Sequence, residues 1–172
     1  MKVLLFFDQT QAGAGGKERP NVELAVEKGG IGSYHMFERF AKDVDATVLA
    51  TMYCGNGYFF ENQEEVVRKV VGLTKKLGAD VVICGPCFNY ADYAHMSAIL
   101  SEAIEVHTDA KSIVVCSEEN ESTIQKFKDK VTIVKMPKKG GTGLNESLKN
   151  MMNIAKLKVE NKPKETYELL IY

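Results

Sequence analysis

The chain has no excess of either charge: 22 Lys and Arg stand against 23 Asp and Glu, a formal net charge of −1. Without a basic stripe, binding to nucleic acid through a bulk charge field is not expected. Long apolar runs are missing as well. None approaches the roughly 20 residues that a membrane-spanning helix needs. No charged n-region with an apolar h-region precedes the first apolar strand, so no signal peptide is read. Internal repeats and low-complexity tracts are absent. Neither a Walker A loop nor a Gly-x-Gly-x-x-Gly turn occurs, which removes two common nucleotide-phosphate signatures. The chain holds only 4 cysteines and 3 histidines. A cytoplasmic location is expected, and its reducing environment favours free thiols, a metal site or a transient redox pair over structural disulfides.

What is present is an ordinary globular composition, 45% apolar and 26% charged over 172 residues, enough for one domain with one good core. Strand-like runs alternate with helical patterns. The strand runs are Lys2–Phe7, Ala46–Tyr53, Ala79–Ile83, Ser112–Val115 and Val131–Val134. Between them, apolar residues recur at helical spacing: Tyr34, Phe37, Phe40 and Ala41 behind Ser33 as an N-cap; Val66, Val70, Leu73 and Leu77 ahead of Gly78 as an αL C-cap; Tyr93 to Ile104; and Leu148 to Ala155. A shorter helical stretch falls near Ser122–Phe127. Continuous β-branched runs mark strands covered on both faces. The reading is an α/β three-layer sandwich with a five-stranded, mostly parallel sheet in flavodoxin-like (Rossmann-like) order. Residues 1–158 form the single α/β domain. Residues 159–172 are a tail, polar and then apolar at Leu169–Tyr172, expected to dock on the domain or a partner; this tail also favours a homo-oligomer or larger complex.

One connection is too long for this scheme. Gln9 to Gly32 spans 24 residues and holds six of the 14 glycines, whereas βα loops usually take about 2–6 residues. Its place at the carboxyl end of the first strand, the edge where open α/β sheets bind ligands, favours a functional loop.

All four cysteines fall where strands end: Cys54, Cys84 with Cys87, and Cys116. Parallel strands would gather them along one edge. Cys84-Gly85-Pro86-Cys87 has the C-x-x-C spacing of redox pairs, and a helix N-terminus would stabilise a thiolate there. The alternative is two small residues lining a crowded turn. Four thiolates also suit zinc or an iron–sulfur cluster, but only one close pair exists, so no metal is assigned. The glycine loop from Lys138 to Gly143 could present amides to an anion; a tight strand-to-helix connection with solvated lysines is the better reading. His35, His95 and His107 have no carboxylate at a catalytic spacing. Polar groups also collect at the strand ends: Asp8, Gln9, Asn56, Asn89 and Glu118-Glu119-Asn120. Such a rim suits a small zwitterionic ligand, and equally helix capping, as at Asn62 and Asp92.

These same segments resemble a known family. Cys54-Gly55-Asn56-Gly57-Tyr58-Phe59-Phe60-Glu61-Asn62 is similar to the C-G-D-N-Y-F-x-E-N segment of selenoprotein B, the substrate-specific component of glycine, sarcosine and betaine reductases. Gly85-Pro86 with Phe88-Asn89 and Tyr93 resembles that family's A-G-P-A-F-N-A-G-R-Y. Gly13–Glu18 resembles its glycine-glycine-glutamate loop, Gly30-Ile31-Gly32 its G-x-x-G turn, and Glu118-Glu119-Asn120 its E-N turn. The matches run in order from the first strand to the last helix.

The resemblance implies a reductase-family protein of anaerobic amino-acid metabolism. In that family component B takes the amino acid through a partner's pyruvoyl group, and a selenocysteine attacks the α-carbon and cleaves the C–N bond. Two departures stand out. The sequence contains no selenocysteine and ends where the family's second, selenocysteine-bearing half would continue; and Cys84, Cys87 and Asp92 replace alanine, alanine and arginine. Cys54 matches a family cysteine. The expectation is therefore a protein that binds or reduces a small amino acid or N-methylated analogue at the strand-end rim. Cys54, Cys84 and Cys87 are its candidate catalytic thiols, and Gly15, Gly16, Glu18, Asn56, Tyr58, Asn89, Glu119 and Asn120 its candidate substrate-binding residues. No cofactor is assigned, and reductase-complex subunits are the expected partners. The alternative is a non-catalytic binding or assembly module of a multi-subunit reductase complex.

Overall fold

A computed structural model describes all of residues 1–172. The elements follow one another as β1 (Lys2–Asp8), β2 (Ala25–Lys28), α1 (Glu38–Asp43), β3 (Thr47–Cys54), α2 (Asn56–Glu61), α3 (Gln63–Leu77), β4 (Val81–Cys84), α4 (Ala91–His107), β5 (Lys111–Ser117), α5 (Glu121–Phe127), β6 (Ile133–Met136) and α6 (Leu144–Val159), with short 3-10 turns between some of them. The sheet runs in the order β2-β3-β1-β4-β5-β6. Five of these strands are mutually parallel, in the expected flavodoxin-like order.

The strand count is six rather than five. The additional strand, β2, comes from the long segment after β1 and pairs antiparallel with β3 at the sheet edge. Backbone contacts hold it rather than side-chain burial: Gly29 N–H donates to the Leu49 carbonyl at 2.9 Å, and the Thr51 hydroxyl donates to the Gly29 carbonyl at 2.8 Å. Three of its four side chains are exposed, so its sequence carries no apolar signature.

Alternate residues of the strands feed two cores. Leu4, Phe6, Val82, Cys84, Val114 and Cys116 face α2 to α5. Val3, Leu5, Phe7, Ile83, Val115 and Val134 face α1 and α6. Covering both faces is what makes the strands read as unbroken apolar runs. Gly78 closes α3 with φ +61°, the left-handed C-cap that a residue without Cβ adopts at little cost. Ser33 lies inside a 3-10 turn, Gly32–Met36, instead of capping a regular helix; its hydroxyl donates to the side-chain carbonyl of Gln11.

The tail folds back on the sheet. Ile171 bridges to Val134 of β6, and Tyr172 donates its N–H to the Ile133 carbonyl at 3.0 Å and its hydroxyl to the Cys116 carbonyl at 3.1 Å. An otherwise open edge of hydrogen-bonding groups is thereby closed. No helix is long and apolar enough to cross a membrane.

The chain leaves β1 toward one face of the sheet and β4 toward the other, since α1 and α4 pack in different cores. Their loops diverge above the neighbouring ends of β1 and β4, which opens a crevice at the point where the strand order reverses.

Candidate functional site

A cleft of about 370 Å³ occupies this crevice, lined by Asp8, Gln9, Lys17, Asn56, Tyr90 and Asp92 among others. Asp8 ends β1 and is only 4% exposed. Its carboxylate accepts the Gln11 N–H at 2.7 Å. Burial raises its pKa above the ordinary carboxylate value, and the Gln11 and Thr10 amides counter that only in part. A buried carboxyl at the floor of a polar cleft is a natural seat for a cationic group. In the same cleft, the Lys17 ammonium lies 5.2 Å from the centroid of the Tyr90 ring.

The long segment after β1 builds one wall of the cleft and is stitched to its neighbours. Gln9 donates through Nε2 to the Gly16 carbonyl and accepts the Asn56 N–H through Oε1, both at 3.4 Å. Gly55 N–H donates to the Val22 carbonyl at 2.7 Å, and Tyr58 N–H to the Pro20 carbonyl at 2.9 Å. The approach is close enough that a Cβ on Gly55 would lie 2.0 Å from the Pro20 carbonyl oxygen. The turn after β3 thus requires glycine where it meets the loop.

The candidate binding residues divide. Asn56 lines the cleft, and Gly16 holds Gln9 in place beside Gly15. Glu18 turns back to accept its own loop's Gly16 N–H at 3.1 Å and lines a separate shallow depression with Arg19 and Pro20. Tyr58 is half-buried against the helical core. Asn89 faces a neighbouring pocket of about 200 Å³ formed with Lys138–Gly141. Glu119 ties two loops together, accepting the Lys139 N–H at 3.1 Å and the Ser117 hydroxyl at 2.9 Å, and these bonds hold its pKa below the usual value. Asn120 is 4% exposed and spends its amide on the Phe88 carbonyl at 2.7 Å. Sequence reasoning missed Lys17 and Tyr90. Asp8, Gln9 and Asp92 were visible as polar residues after strand ends, but nothing in their spacing ranked them above their neighbours.

An accessible thiolate, expected from the strand-end cysteines, is not found. All four thiols are free and buried at 0% exposure. They lie in the core on the α2–α5 face of the sheet, under the lid that α4 forms. Cys54 Sγ sits 3.9 Å from Met96 Sδ, Cys87 Sγ donates to Ser97 Oγ at 3.3 Å, and Cys84 Sγ lies 3.9 Å from Ser112 Oγ. Burial pushes Cys54, Cys84 and Cys116 up to about 12, and raises Cys87 by burial and by its neighbour Cys116. A strand-end position alone does not tell which face a side chain takes; the pleat turns Cys54, Cys84 and Cys116 inward, and the loop after β4 buries Cys87 in the same core. No group of three or more His, Cys, Asp or Glu side chains is placed to hold a metal ion.

Three relatives come from Peptoclostridium acidaminophilum. The glycine reductase complex component B subunit gamma is 29% identical over 105 residues, covering 61% of this chain and 24% of that protein. The sarcosine reductase complex component B subunit beta is 27% identical over 120 residues, covering 70% and 27%. The betaine reductase complex component B subunit beta is 20% identical over 156 residues, covering 91% and 34%. This chain therefore spans about a quarter to a third of the relatives it matches. No solved structure matches it. The sequence model of the glycine/sarcosine/betaine reductase selenoprotein B family matches residues 1–168, nearly the whole chain, and the chain belongs to that family.

Proposed function

We propose that this chain is a ligand-binding module of a component B-type reductase, holding a small amino acid or an N-methylated analogue in the cleft between β1, β3 and β4. The observation that carries the reading is a buried carboxylate, Asp8, and an ammonium, Lys17, lining the same polar cleft. Asp8 takes the ligand's ammonium end. Lys17 and the free N–H groups at the start of α4, where Ala91 and Asp92 line the cleft, take its carboxylate. Cleavage of a C–N bond needs a nucleophile that reaches the α-carbon. Cys54, Cys84 and Cys87 are sealed beneath α4 with raised pKa, so the reading assigns the chemistry at the bound ligand to a group on a partner subunit.

Isothermal titration of the purified chain with glycine, sarcosine and betaine tests this. At least one is expected to bind saturably, and Asp8→Asn and Lys17→Ala each to weaken it. If none binds, the reading fails. The second reading, an assembly module, would then stand on Leu169 and Val106, apolar residues left 84% and 69% exposed, and would be checked by the change in stoichiometry when both are replaced by Ser.

A further inference from the structure

We propose that the carboxylate of Asp92 is the seat for a second ammonium, so that the cleft prefers a diamino acid, an α-amino acid with a further amine on its side chain, over a simple zwitterion. This rests on the binding reading above and names the ligand class within it.

Three observations converge. First, the cleft carries an excess of acidic charge. The charged side chains that line it are Asp8, Asp92 and Lys17, two carboxylates against one ammonium, and none of the three takes part in any of the chain's ion pairs. A zwitterion brings one charge of each sign and leaves the imbalance as it was. A ligand with two ammonium groups and one carboxylate cancels it. His95, one turn beyond Asp92 on α4, does not supply the missing charge: burial and the neighbouring Lys126 hold its pKa below the usual value and outweigh the opposing effect of Asp92.

Second, both carboxylates keep acceptor capacity that the protein does not use. Asp8 is 4% exposed, and its Oδ1 accepts the Gln11 N–H at 2.7 Å. Its Oδ2 has no hydrogen-bond partner, and it is not among the sealed, unpartnered side-chain atoms of the chain, which are Ser101 Oγ and Asn120 Oδ1; it therefore opens on the cleft that Asp8 lines. A buried anion with a free edge is costly until a donor meets it. Asp92 stands in the first turn of α4, but the capping role that its position offers is not taken up, since no side chain caps that helix. Each ammonium brings three N–H donors, and two of them match two unpartnered carboxylates.

Third, the start of α4 disfavours a ligand with only one cationic end. In the binding reading the ligand carboxylate lies on Lys17 and the first N–H groups of α4, which places it beside Asp92, a second negative charge without a counter-ion. A second ammonium on the ligand turns that repulsion into attraction. There is room for the longer side chain. The cleft, about 370 Å³, far exceeds the few heavy atoms of glycine and lies within the range of about 300–1,000 Å³ that larger ligands occupy.

The test is calorimetric titration of the full chain, as wild type, Asp92→Asn and Asp8→Asn, with glycine, ornithine and norleucine. Norleucine has the length of ornithine with a methyl group in place of the second ammonium, so the pair separates charge from size. The wild type is expected to bind ornithine about fivefold more tightly than norleucine, the upper end of what an ion pair at an accessible rim contributes, and the advantage to shrink as salt is raised. Asp92→Asn brings the ratio toward one while glycine binds as well as before or better; Asp8→Asn weakens all three ligands. Asp92 is exposed, so its replacement leaves the fold intact, and circular dichroism checks each variant. Norleucine binding as tightly as ornithine, or an ornithine advantage that survives Asp92→Asn, overturns the second ammonium seat while leaving the binding reading intact. Absence of binding by every amino-acid ligand overturns both.

Discussion

The hydroxyl of Tyr93, in the first turn of α4, donates to the Phe6 carbonyl of β1 at 2.9 Å inside the core. Tyr93 is fully buried, and Phe6 stands two residues before Asp8. The bond therefore ties the α4 start, which carries Tyr90 and Asp92 into the cleft, to the strand that carries the cleft's carboxylate. The spacing of the two walls is set by a contact beneath them. The Phe6 carbonyl also accepts the Gly85 N–H, at 3.3 Å, so Tyr93→Phe leaves it with one partner. The expected destabilisation is accordingly about 1 kcal/mol, the low end for a buried hydrogen bond, and not the larger cost of an orphaned acceptor. Urea unfolding of the variant should show a lower midpoint with an unchanged slope. A loss above about 3 kcal/mol would mean that the ring itself has moved.

The thiols lend themselves to direct chemistry. With Cys54, Cys84 and Cys116 pushed up to about 12 and all four cysteines buried, the thiolate fraction at neutral pH is negligible and the sulfurs are out of reach. A disulfide-exchange reagent near neutral pH is expected to label none of the four in the folded chain and all of them in denaturant. Fast labelling of Cys84 or Cys87 in the folded protein would restore the redox reading of the C-x-x-C pair.

Much of the fold was legible because burial on both faces writes itself into the strands as unbroken apolar runs, as in Val81–Cys84, where every residue is buried. Gly78 announced a helix end for the conformational reason that it supplies one. Ala25–Lys28 announced nothing: it is held by main-chain bonds at an edge, and main-chain bonds leave no mark on residue choice. The rim was legible as a place, since strand ends and polar residues coincide there. Its membership was not. Lys17 reaches Tyr90 because its loop, through Pro20 and Val22, folds back over Gly55 and Tyr58, a long-range event. Glu119 and Asn120 looked equally available and are spent on holding turns together. The cysteines were placed at the correct strand ends, and their burial turned on the pleat and on α4 lying across them.

Gly55 provides a check on the loop. A Cβ there would meet the Pro20 carbonyl oxygen at 2.0 Å and the Val22 nitrogen at 2.8 Å, both backbone atoms that cannot rotate aside. Gly55 is not in the left-handed region, with φ −65°, so the effect of Gly55→Ala is purely steric. The variant should lift residues 17–22 from the β3 turn, break the Gly55–Val22 and Tyr58–Pro20 bonds, and displace Lys17 from the cleft. Limited proteolysis is expected to cut near Lys17 or Arg19 well before the wild type is cut, together with weaker ligand binding. Unchanged protease resistance would show that the loop is held by other means.

Asp8 offers a test in which stability and binding move in opposite directions. Its folded pKa is raised above the unfolded value, chiefly by desolvation, so the native state holds this proton to higher pH than the unfolded chain does. Stability from this group is then greatest below the unfolded pKa. It declines as pH rises through the folded pKa, beyond which the buried charge is a constant cost. Asp8→Asn removes that cost while an amide oxygen can still accept the Gln11 N–H. Its unfolding midpoint relative to wild type should rise as pH climbs from the unfolded carboxylate value, about 3.9, through the raised folded value, and then level off. Betaine should reverse the ranking, because a cation beside Asp8 stabilises the carboxylate and has little to gain from the amide. The measurement is denaturant unfolding of both proteins across that pH range, with and without ligand. If Asp8→Asn is the less stable protein at neutral pH without ligand, the amide bonds to Asp8 outweigh its desolvation, and the carboxylate is a structural anchor instead of a ligand seat.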